Sequence, residues 1–324
     1  MQNDYSEKIK YLAEHTKLNN AQIAKKVGCS KRTVRRHAGP YDQRLMKFFG
    51  ITPDQVKVDG AKILLFDIET SPIEAYIWSL RQHGWISDKM IKKDISILCW
   101  SAKWLFDDKV MSGTVSPDEA YNREDSSIMD ELWTLLDEAD IIVAHNGMSF
   151  DVRRMNARFA LNKLTPPMPY RVVDTLRMIK RQFDLPAYNI DYVNRLFGIG
   201  TKKGNEEGIE MWKKCVGAYG MPEAEKALQQ MTRYCENDVL ILEELYVEIR
   251  AWIKGHPNMG LYQTGDGIEK CTNCGSRDLD WRGRYYTPAG RYRAFRCHAC
   301  GAVGRSRSSD MSKEEKEETT RNVV

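Results

Sequence analysis

Ile63-Leu64-Leu65-Phe66-Asp67-Ile68-Glu69-Thr70 is the stretch whose reading decides the fold. Four apolar residues in a row mark a buried strand, and the alternation that follows tells how its end is used. Side chains two apart on a strand point to the same face, so Asp67 and Glu69 project together while Phe66 and Ile68 go the other way. Two adjacent carboxylates repel each other and raise one another's pKa unless a cation lies between them. The stretch therefore reads as a sheet strand ending in a candidate divalent-metal site.

Working outward, a composition break from Pro53 to Gly60 precedes the strand. Segments around Tyr76-Ile77-Trp78 and Ile95-Ser96-Ile97-Leu98-Cys99-Trp100 read as further strands of a meander. Ile128, Leu132, Leu135 and Leu136 fall at helical spacing and lead to a buried strand, Ile141-Ile142-Val143-Ala144. That strand runs into His145-Asn146-Gly147-Met148-Ser149-Phe150-Asp151 and then a helix bearing Met155, Phe159 and Leu161. Polar residues at the carboxyl end of a buried strand are where open α/β sheets place ligands. A third cluster, Tyr234-Cys235-Glu236-Asn237-Asp238, opens a strongly helical run to Trp252. Tyr234 and Asp238, four apart, share one helix face.

Phe-Asp-Ile-Glu-Thr, Asn-x-x-x-Phe-Asp and Tyr-x-x-x-Asp, in this order, resemble the DEDD superfamily of 3′→5′ exonucleases on the ribonuclease H-like fold. The form is closest to the tyrosine subtype, which includes the proofreading domain of family B DNA polymerases. The similarity spans about residues 61–254; Val173-Asp174-Thr175-Leu176 and Tyr188-Asn189-Ile190-Asp191-Tyr192-Val193 look like that family's helical insert. The resemblance implies an α/β fold with a mixed sheet flanked by helices. It also implies hydrolysis of phosphodiester bonds of DNA by a two-metal-ion mechanism. Asp67, Glu69, Asp151 and Asp238 would then hold two Mg²⁺ or Mn²⁺ ions, and Tyr234 with Glu69 would orient a water. Oxygen-only ligands suit those ions rather than zinc. Thr70, Asn146 and Phe150 correspond to positions near the 3′-terminal nucleotide. Lys202 and Lys203 read either as phosphate contacts or as a solvated loop.

The two ends read as separate small modules. Residues 6–15 and the stretch from Asn20 to Val27 predict two helices. Gly28-Cys29-Ser30 predicts a tight turn, and Lys31 to His37 a third helix. Over some 30 residues this resembles the helix-turn-helix of resolvase-like and sigma-factor-like DNA binders, with Lys31, Arg32, Arg35 and Arg36 facing a duplex. Near the other end, Cys271-Thr272-Asn273-Cys274-Gly275 and Cys297-His298-Ala299-Cys300-Gly301 are two knuckles separated by 22 residues. Thiolates two apart on a turn can share one tetrahedral ion, so Cys271, Cys274, Cys297 and Cys300 predict a zinc ribbon holding one Zn²⁺, with His298 a bystander. Hairpin strands joined near Pro288-Ala289-Gly290 would lie between the knuckles, and their interleaved arginines and aromatics suit phosphates and bases. The expected organisation is a helix-turn-helix at 1–50, a linker at 51–60, the nuclease-like domain at 61–256, the ribbon at 265–305 and a disordered tail at 306–324.

Charge and composition agree with that plan. Of the 324 residues, 42% are hydrophobic and 29% charged, which excludes collagenous, mucin-like and wholly disordered classes. Residues 1–58 carry 12 Lys/Arg against 5 Asp/Glu and residues 265–305 carry 8 against 4, whereas 59–264 carry 25 against 31. Basic ends around an acidic middle suit a protein that grips a polyanion with its ends and holds cations in its centre. No apolar run reaches the ~18 residues of a membrane helix, and the first ten residues lack a signal-peptide core, so the expected location is cytoplasmic. The domain mixture fits a chain encoded by a phage or mobile element. The flanks of the nuclease-like stretch are too short for a polymerase, so proofreading would require a separate polymerase or a replication or recombination partner.

Other readings share these residues. An enzyme acting on RNA, or cutting internally at a structured junction, would keep the same site. A DNA-binding regulator with a catalytically silent core is opposed by the complete carboxylate set with Tyr234. A transposase also joins a helix-turn-helix to a ribonuclease H-like domain, but Tyr234-x-x-x-Asp238 departs from its Asp, Asp, Glu triad.

Overall fold

The computed structural model of the chain describes residues 4–15, 20–29, 34, 37–38, 60–79, 84–199, 208–263 and 265–320. Two compact units divide the chain: Lys62–Tyr246, and a second made of Met1–Ala61 with Val247–Val324. No helix among the described residues is long and apolar enough to cross a membrane.

At the N-terminus, α1 (Asp4–His15) and α2 (Asn20–Val27) bury Ile9, Ala13, Ile23, Ala24 and Val27 together with Val34. Gly28 turns the chain at φ +76°, where a glycine escapes the Cβ clash of the left-handed region. Both helices and the turn stand where the sequence predicts them. Lys31, Arg32, Arg35 and Arg36 lie outside the described residues, as do Lys202, Lys203 and most of the expected linker.

The larger unit is built on a five-stranded mixed sheet. Its first strand is β1 (Ile63–Thr70); a short pair, β2 (Glu74–Ala75) with β3 (Ile91–Lys93), follows outside the sheet. The sheet continues with β4 (Ile97–Trp104), β5 (Val110–Thr114), β6 (Ile141–Ala144) and β7 (Arg171–Asp174), arranged β5-β4-β1-β6-β7. β1, β4 and β5 pair antiparallel, and β6 and β7 join parallel to β1. The α/β, ribonuclease H-like class expected from the sequence is the one observed. β1 is central because its first six residues include no exposed position, and a strand with neighbours on both sides must be apolar on both faces.

Helices cover the two faces. After α3 (Pro117–Asn122), which a Ser116–Glu119 capping box opens, the chain enters α4 (Ser126–Glu138) and later α5 (Asp151–Leu161). On one face, Phe66, Ile68, Trp100 and Ala102 pack with Ile128, Met129, Leu132 and Leu136 of α4 and with Met155 and Phe159 of α5. Trp100 Nε1 donates to Ile128 O at 2.8 Å, and Gly113 leaves the space its indole fills, since a Cβ there would stand 2.5 Å from Nε1. Beside them Arg158 grips the buried Asp125 with two bonds of 2.6 and 2.8 Å.

After β7, at the parallel edge of the sheet, the described residues form the short helices α6 (Thr175–Gln182), α7 (Ile190–Phe197) and α8 (Ile209–Cys215). On the other face of the sheet, α9 (Met221–Ile249) crosses the antiparallel strands. Thr232 meets Thr114 at 2.5 Å, Glu236 accepts from Ser112 at 2.7 Å, and Glu243 pairs with the buried Lys103. Positions 232, 236 and 243 share one face of a helix, so these bonds set both its rotation and its height against β1.

Two parts of the chain between β1 and α7 differ from expectation. Tyr76-Ile77-Trp78 is not a strand; the pairing ends with β2 at Ala75, and Trp78 stands 97% exposed. With no strand partner and no core to meet, that run has nothing for its β-propensity to serve. Val173-Asp174 belongs to β7 rather than to a helical insert, and α6 starts directly after it.

The C-terminal part forms a three-stranded sheet ordered β10-β9-β8, from β8 (Leu279–Thr287), β9 (Gly290–Cys297) and β10 (Val303–Arg305). The first two are the predicted hairpin; β10, at three residues, is too short to leave a pattern in the sequence. Residues 306–320 do not form the disordered tail that their polar composition suggests. Ser306 N and Asp310 N continue bonding to the carbonyls of Arg293 and Arg291, at 2.8 and 3.0 Å. Asp310 and Glu315 pair with strand arginines, and a Ser312–Glu315 capping box starts α10 (Lys313–Glu317). Fixed arginines on a neighbouring sheet supply what a mixed-charge segment cannot supply for itself.

Candidate active site

Three elements meet at the carboxyl ends of β1 and β6. Strand alternation puts Asp67 and Glu69 on the face that α9 crosses, opposite Ser101 and Cys99 of β4. The bonds of Thr232, Glu236 and Glu243 then hold Tyr234 and Asp238 beside them. Ligand oxygens of Asp67, Glu69 and Asp238 lie within 4.8 Å of one another. With Asp151, Tyr234, His145, Asn146 and Phe150 they line a cleft of about 250 Å³. Among the predicted residues, the structure thus brings both β1 carboxylates, Tyr234, Asp238, Asp151, Asn146 and Phe150 to one place.

Asp151 and Thr70 depart in detail. Asp151 is buried at the first turn of α5 and lies outside the three-carboxylate group; its Oδ1 accepts from Ile68 N at 3.3 Å. Thr70 does not line the cleft. Being one residue past Glu69, it faces the opposite side of β1, across a register shift, with Arg154 Nη1 3.5 Å from its hydroxyl.

The electrostatics are those of a cation site. Burial first, then the charges of Asp151, Glu69 and Asp238, push the Asp67 carboxyl well above the usual carboxylate range. Burial pushes Asp151 up to about 7, with Asp174 adding to the rise and Arg154 opposing it. A divalent ion among these oxygens would reverse both shifts, and an all-oxygen donor set suits Mg²⁺ or Mn²⁺. The residues present fit such a group.

Four features of the site escape sequence reasoning. Cys235, buried and held as a thiol chiefly by burial, has its sulfur 3.4 Å from Asp67 O and 3.5 Å from Oδ2, so its S–H braces the carboxylate from beneath. Asp174, fully buried, accepts from Asn146 N and Met148 N at 3.1 Å and from Arg177 N at 3.2 Å. It thereby caps α6 and fixes the loop that presents Asn146 and Phe150. His145 spans Thr175 Oγ1 at 2.9 Å and Tyr188 O at 3.3 Å. Arg154 lies over the Phe150 ring, 4.3 Å from its centroid. His145 and Arg154 carry a signal in their position next to the motifs, and Asp174 carries one as an N-cap residue three before Arg177; the role of Cys235 carries none, because its partner is 168 residues away. The loop itself is tightly wound. Asn146 takes φ +67°, a conformation asparagine tolerates better than most residues, and a Cβ on Gly147 would stand 2.4 Å from that of Ala144.

The four ribbon cysteines form a second donor group, with all sulfurs within 4.8 Å. Cys271 and Cys300 are 3.6 Å apart, as are Cys274 and Cys297. Tetrahedral Zn–S bonds of about 2.3 Å place sulfurs roughly 3.8 Å apart, so the cluster has the dimensions zinc requires. The knuckles repeat one another: Gly275 N bonds Cys271 O and Gly301 N bonds Cys297 O, each at 2.9 Å, with both glycines at positive φ. His298 stands 3.9 Å from Asp280 and is not in the group.

No curated protein matches the chain. Among solved structures, the family B DNA polymerase from the hyperthermophilic archaeon Pyrobaculum calidifontis matches with a TM-score of 0.42 and 15% identity, over 72% of this chain and 32% of that one. The chain thus spans about a third of that polymerase's length. Residues 102–250 match the family RNase_H_2 of the RNase_H superfamily, a range that holds Asp151, Tyr234 and Asp238 and begins after Asp67 and Glu69. Over that range the chain is similar to the RNase_H superfamily, and its mixed sheet flanked by helices is consistent with a ribonuclease H-like fold.

Proposed function

We propose that this protein is a metal-dependent 3′→5′ exonuclease acting on DNA. A ribonuclease H-like domain supports a nuclease. The observation that carries the finer reading is the convergence of Asp67, Glu69 and Asp238 within 4.8 Å, in a cleft that Asp151 and Tyr234 also line. Asp67, Glu69 and Asp238, with Asp151 alongside, would hold divalent cations. Bound there, such ions supply Lewis-acid charge for attack on a phosphodiester and for its leaving oxygen. The chain's own groups do the rest. Tyr234, one helical turn from Asp238, offers its hydroxyl to an attacking water. Phe150, backed by Arg154, offers a ring to the terminal base, as aromatic side chains do for unpaired nucleotides. Asn146, set by Asp174, gives the cleft a polar wall.

The ends have supporting parts in this reading. The N-terminal helices serve as a helix-turn-helix that loads the enzyme on DNA through Lys31, Arg32, Arg35 and Arg36. The cysteine cluster holds one Zn²⁺ and folds the ribbon.

The test uses 5′-labelled single- and double-stranded DNA and RNA, with Mg²⁺ or Mn²⁺, and an Asp67→Ala control. Stepwise shortening from the 3′ end, absent with the variant and with a blocked 3′ terminus, is expected. Discrete internal cuts, cleavage of RNA alone, or no cleavage alongside binding would each refute the assignment in a different way.

A further inference from the structure

The two faces of the C-terminal sheet are chemically distinct, and the difference assigns one of them a ligand. Along β9, Arg291, Arg293, Phe295 and Cys297 alternate with Tyr292, Ala294 and Arg296. Phe295 and Cys297 join the core around the cysteines, so Arg291 and Arg293 share that inner side while Tyr292 and Arg296 face outward. Register adds Tyr285 to the outer face opposite Tyr292, Arg305 opposite Ala294, and Val303 opposite Arg296.

The inner-side arginines are spoken for. Arg284 pairs with Asp310 at 3.0 Å and Arg291 with Asp310 and Glu315 at 3.0 and 2.9 Å; Arg293 pairs with Glu269 at 2.8 Å and also lies over Trp281. Without these carboxylates Arg284 and Arg293, directly opposite in the register, would repel each other. Their charge serves the ribbon's own fold.

The outer face is different. Arg305 lies 3.8 Å from the ring centroid of Tyr292 and 5.9 Å from that of Tyr285, which is 52% exposed. Among the described residues Arg305 and Arg296 have no carboxylate within pairing distance; their bonds go to the carbonyls of Ser306 and Gly301. Asp280, opposite Arg296, is held by Arg282 at 2.6 Å. Arg305 against the two tyrosine rings, with the exposed Arg296 further along the same face, forms a surface that attracts phosphates and stacks bases.

We infer that the outer face of this sheet, built from Tyr285, Tyr292, Arg296 and Arg305, binds single-stranded nucleic acid. The inference rests on the reading of the chain as acting on nucleic acid, and it assigns the binding to this face and not to Arg284, Arg291 and Arg293. A single strand fits better than a duplex because only unstacked bases can lie on the tyrosines.

The test is equilibrium binding of fluorescently labelled oligothymidylate and oligouridylate to the full chain carrying Asp67→Ala, across a salt series. Tyr285→Ala is expected to weaken binding roughly tenfold while Tyr285→Phe binds as the parent does. Arg296→Ala with Arg305→Ala is expected to flatten the slope of log affinity against log salt by about 1.4, since each phosphate that an arginine neutralises on a single strand contributes about 0.7. Arg284→Ala is expected to leave both unchanged. Zinc content, measured for each variant, reports whether the ribbon is folded; if Tyr285→Ala loses zinc, the arginine pair decides. Parent-like binding by the outer-face variants, an equal loss in Arg284→Ala, or no binding of either oligomer by the parent overturns the inference. Because the background cannot cleave, failure here is separate from failure of the exonuclease reading, which the cleavage ladder tests.

Discussion

Asp174→Asn isolates the part played by the loop that carries Asn146 and Phe150. Asp174 is fully buried, and its two oxygens divide three backbone donors: Oδ1 takes Asn146 N and Arg177 N, and Oδ2 takes Met148 N. An asparagine of the same shape keeps its carbonyl oxygen in the first position and turns its amide donors toward the Met148 N–H. One hydrogen bond to a charged acceptor is lost and two donors face each other. A bond to a charged group contributes about 1.5–3 kcal/mol, so a destabilisation of about 2–3 kcal/mol is expected. Asp174→Ala, which leaves all three donors unmatched and removes the cap of α6, should cost more, about 3–5 kcal/mol. Denaturant unfolding of the two variants against the parent measures this. Under the proposed function, cleavage should fall in Asp174→Asn even at temperatures where the variant is folded, because Asn146, Phe150 and the start of α5 move with the loop. A variant within about 0.5 kcal/mol of the parent, cleaving at the parent rate, would refute the positioning role.

Three further outcomes follow from other parts of the molecule. Lys103→Met strands the buried Glu243, which also accepts from Phe106 N at 2.9 Å, and should destabilise the larger unit by about 3–5 kcal/mol, with Lys103→Met/Glu243→Leu recovering most of it in the same unfolding assay. Chelation at neutral pH, or Cys271→Ser, should release one zinc per chain and abolish the protection of β8 and β9 amides from hydrogen exchange, while β1 and β4 amides stay protected. Burial, with Arg250 nearby, lowers the pKa of His256 to about 4 against 6.5 in the unfolded chain. The unfolded state therefore takes its proton first as pH falls below 6.5, so stability is lost down to about pH 4 and is constant above 6.5. Between about pH 7.5 and pH 5 the loss should be about 2 kcal/mol, and His256→Gln should lack it.

The residues legible in the sequence are those whose meaning is local. Asp67 and Glu69 alternate on one strand, Tyr234 and Asp238 are a helical turn apart, and each cysteine pair spans a single knuckle, so periodicity alone places each pair on a common face. The helix beginning at Asn20, the helix through Ile128 and Leu132, and the hairpin of the ribbon are legible for the same reason. Only the tertiary structure decides what those faces meet. Asp238 reaches Asp67 because Thr232, Glu236 and Glu243 fix α9 on the sheet through partners more than a hundred residues away. Cys235 acquires its role only through such a long-range bond, Asp174 adds to its local cap of α6 the two bonds that fix the Asn146 loop, and Thr70 turns away from the cleft where the register of β1 shifts. The segment after Arg305 shows the same limit in reverse: its composition is that of a solvated tail, and it is ordered by Arg284 and Arg291 on a sheet it did not itself encode. Local periodicity is written into adjacent residues, whereas rotation, height and register of one element on another are settled by packing across the fold.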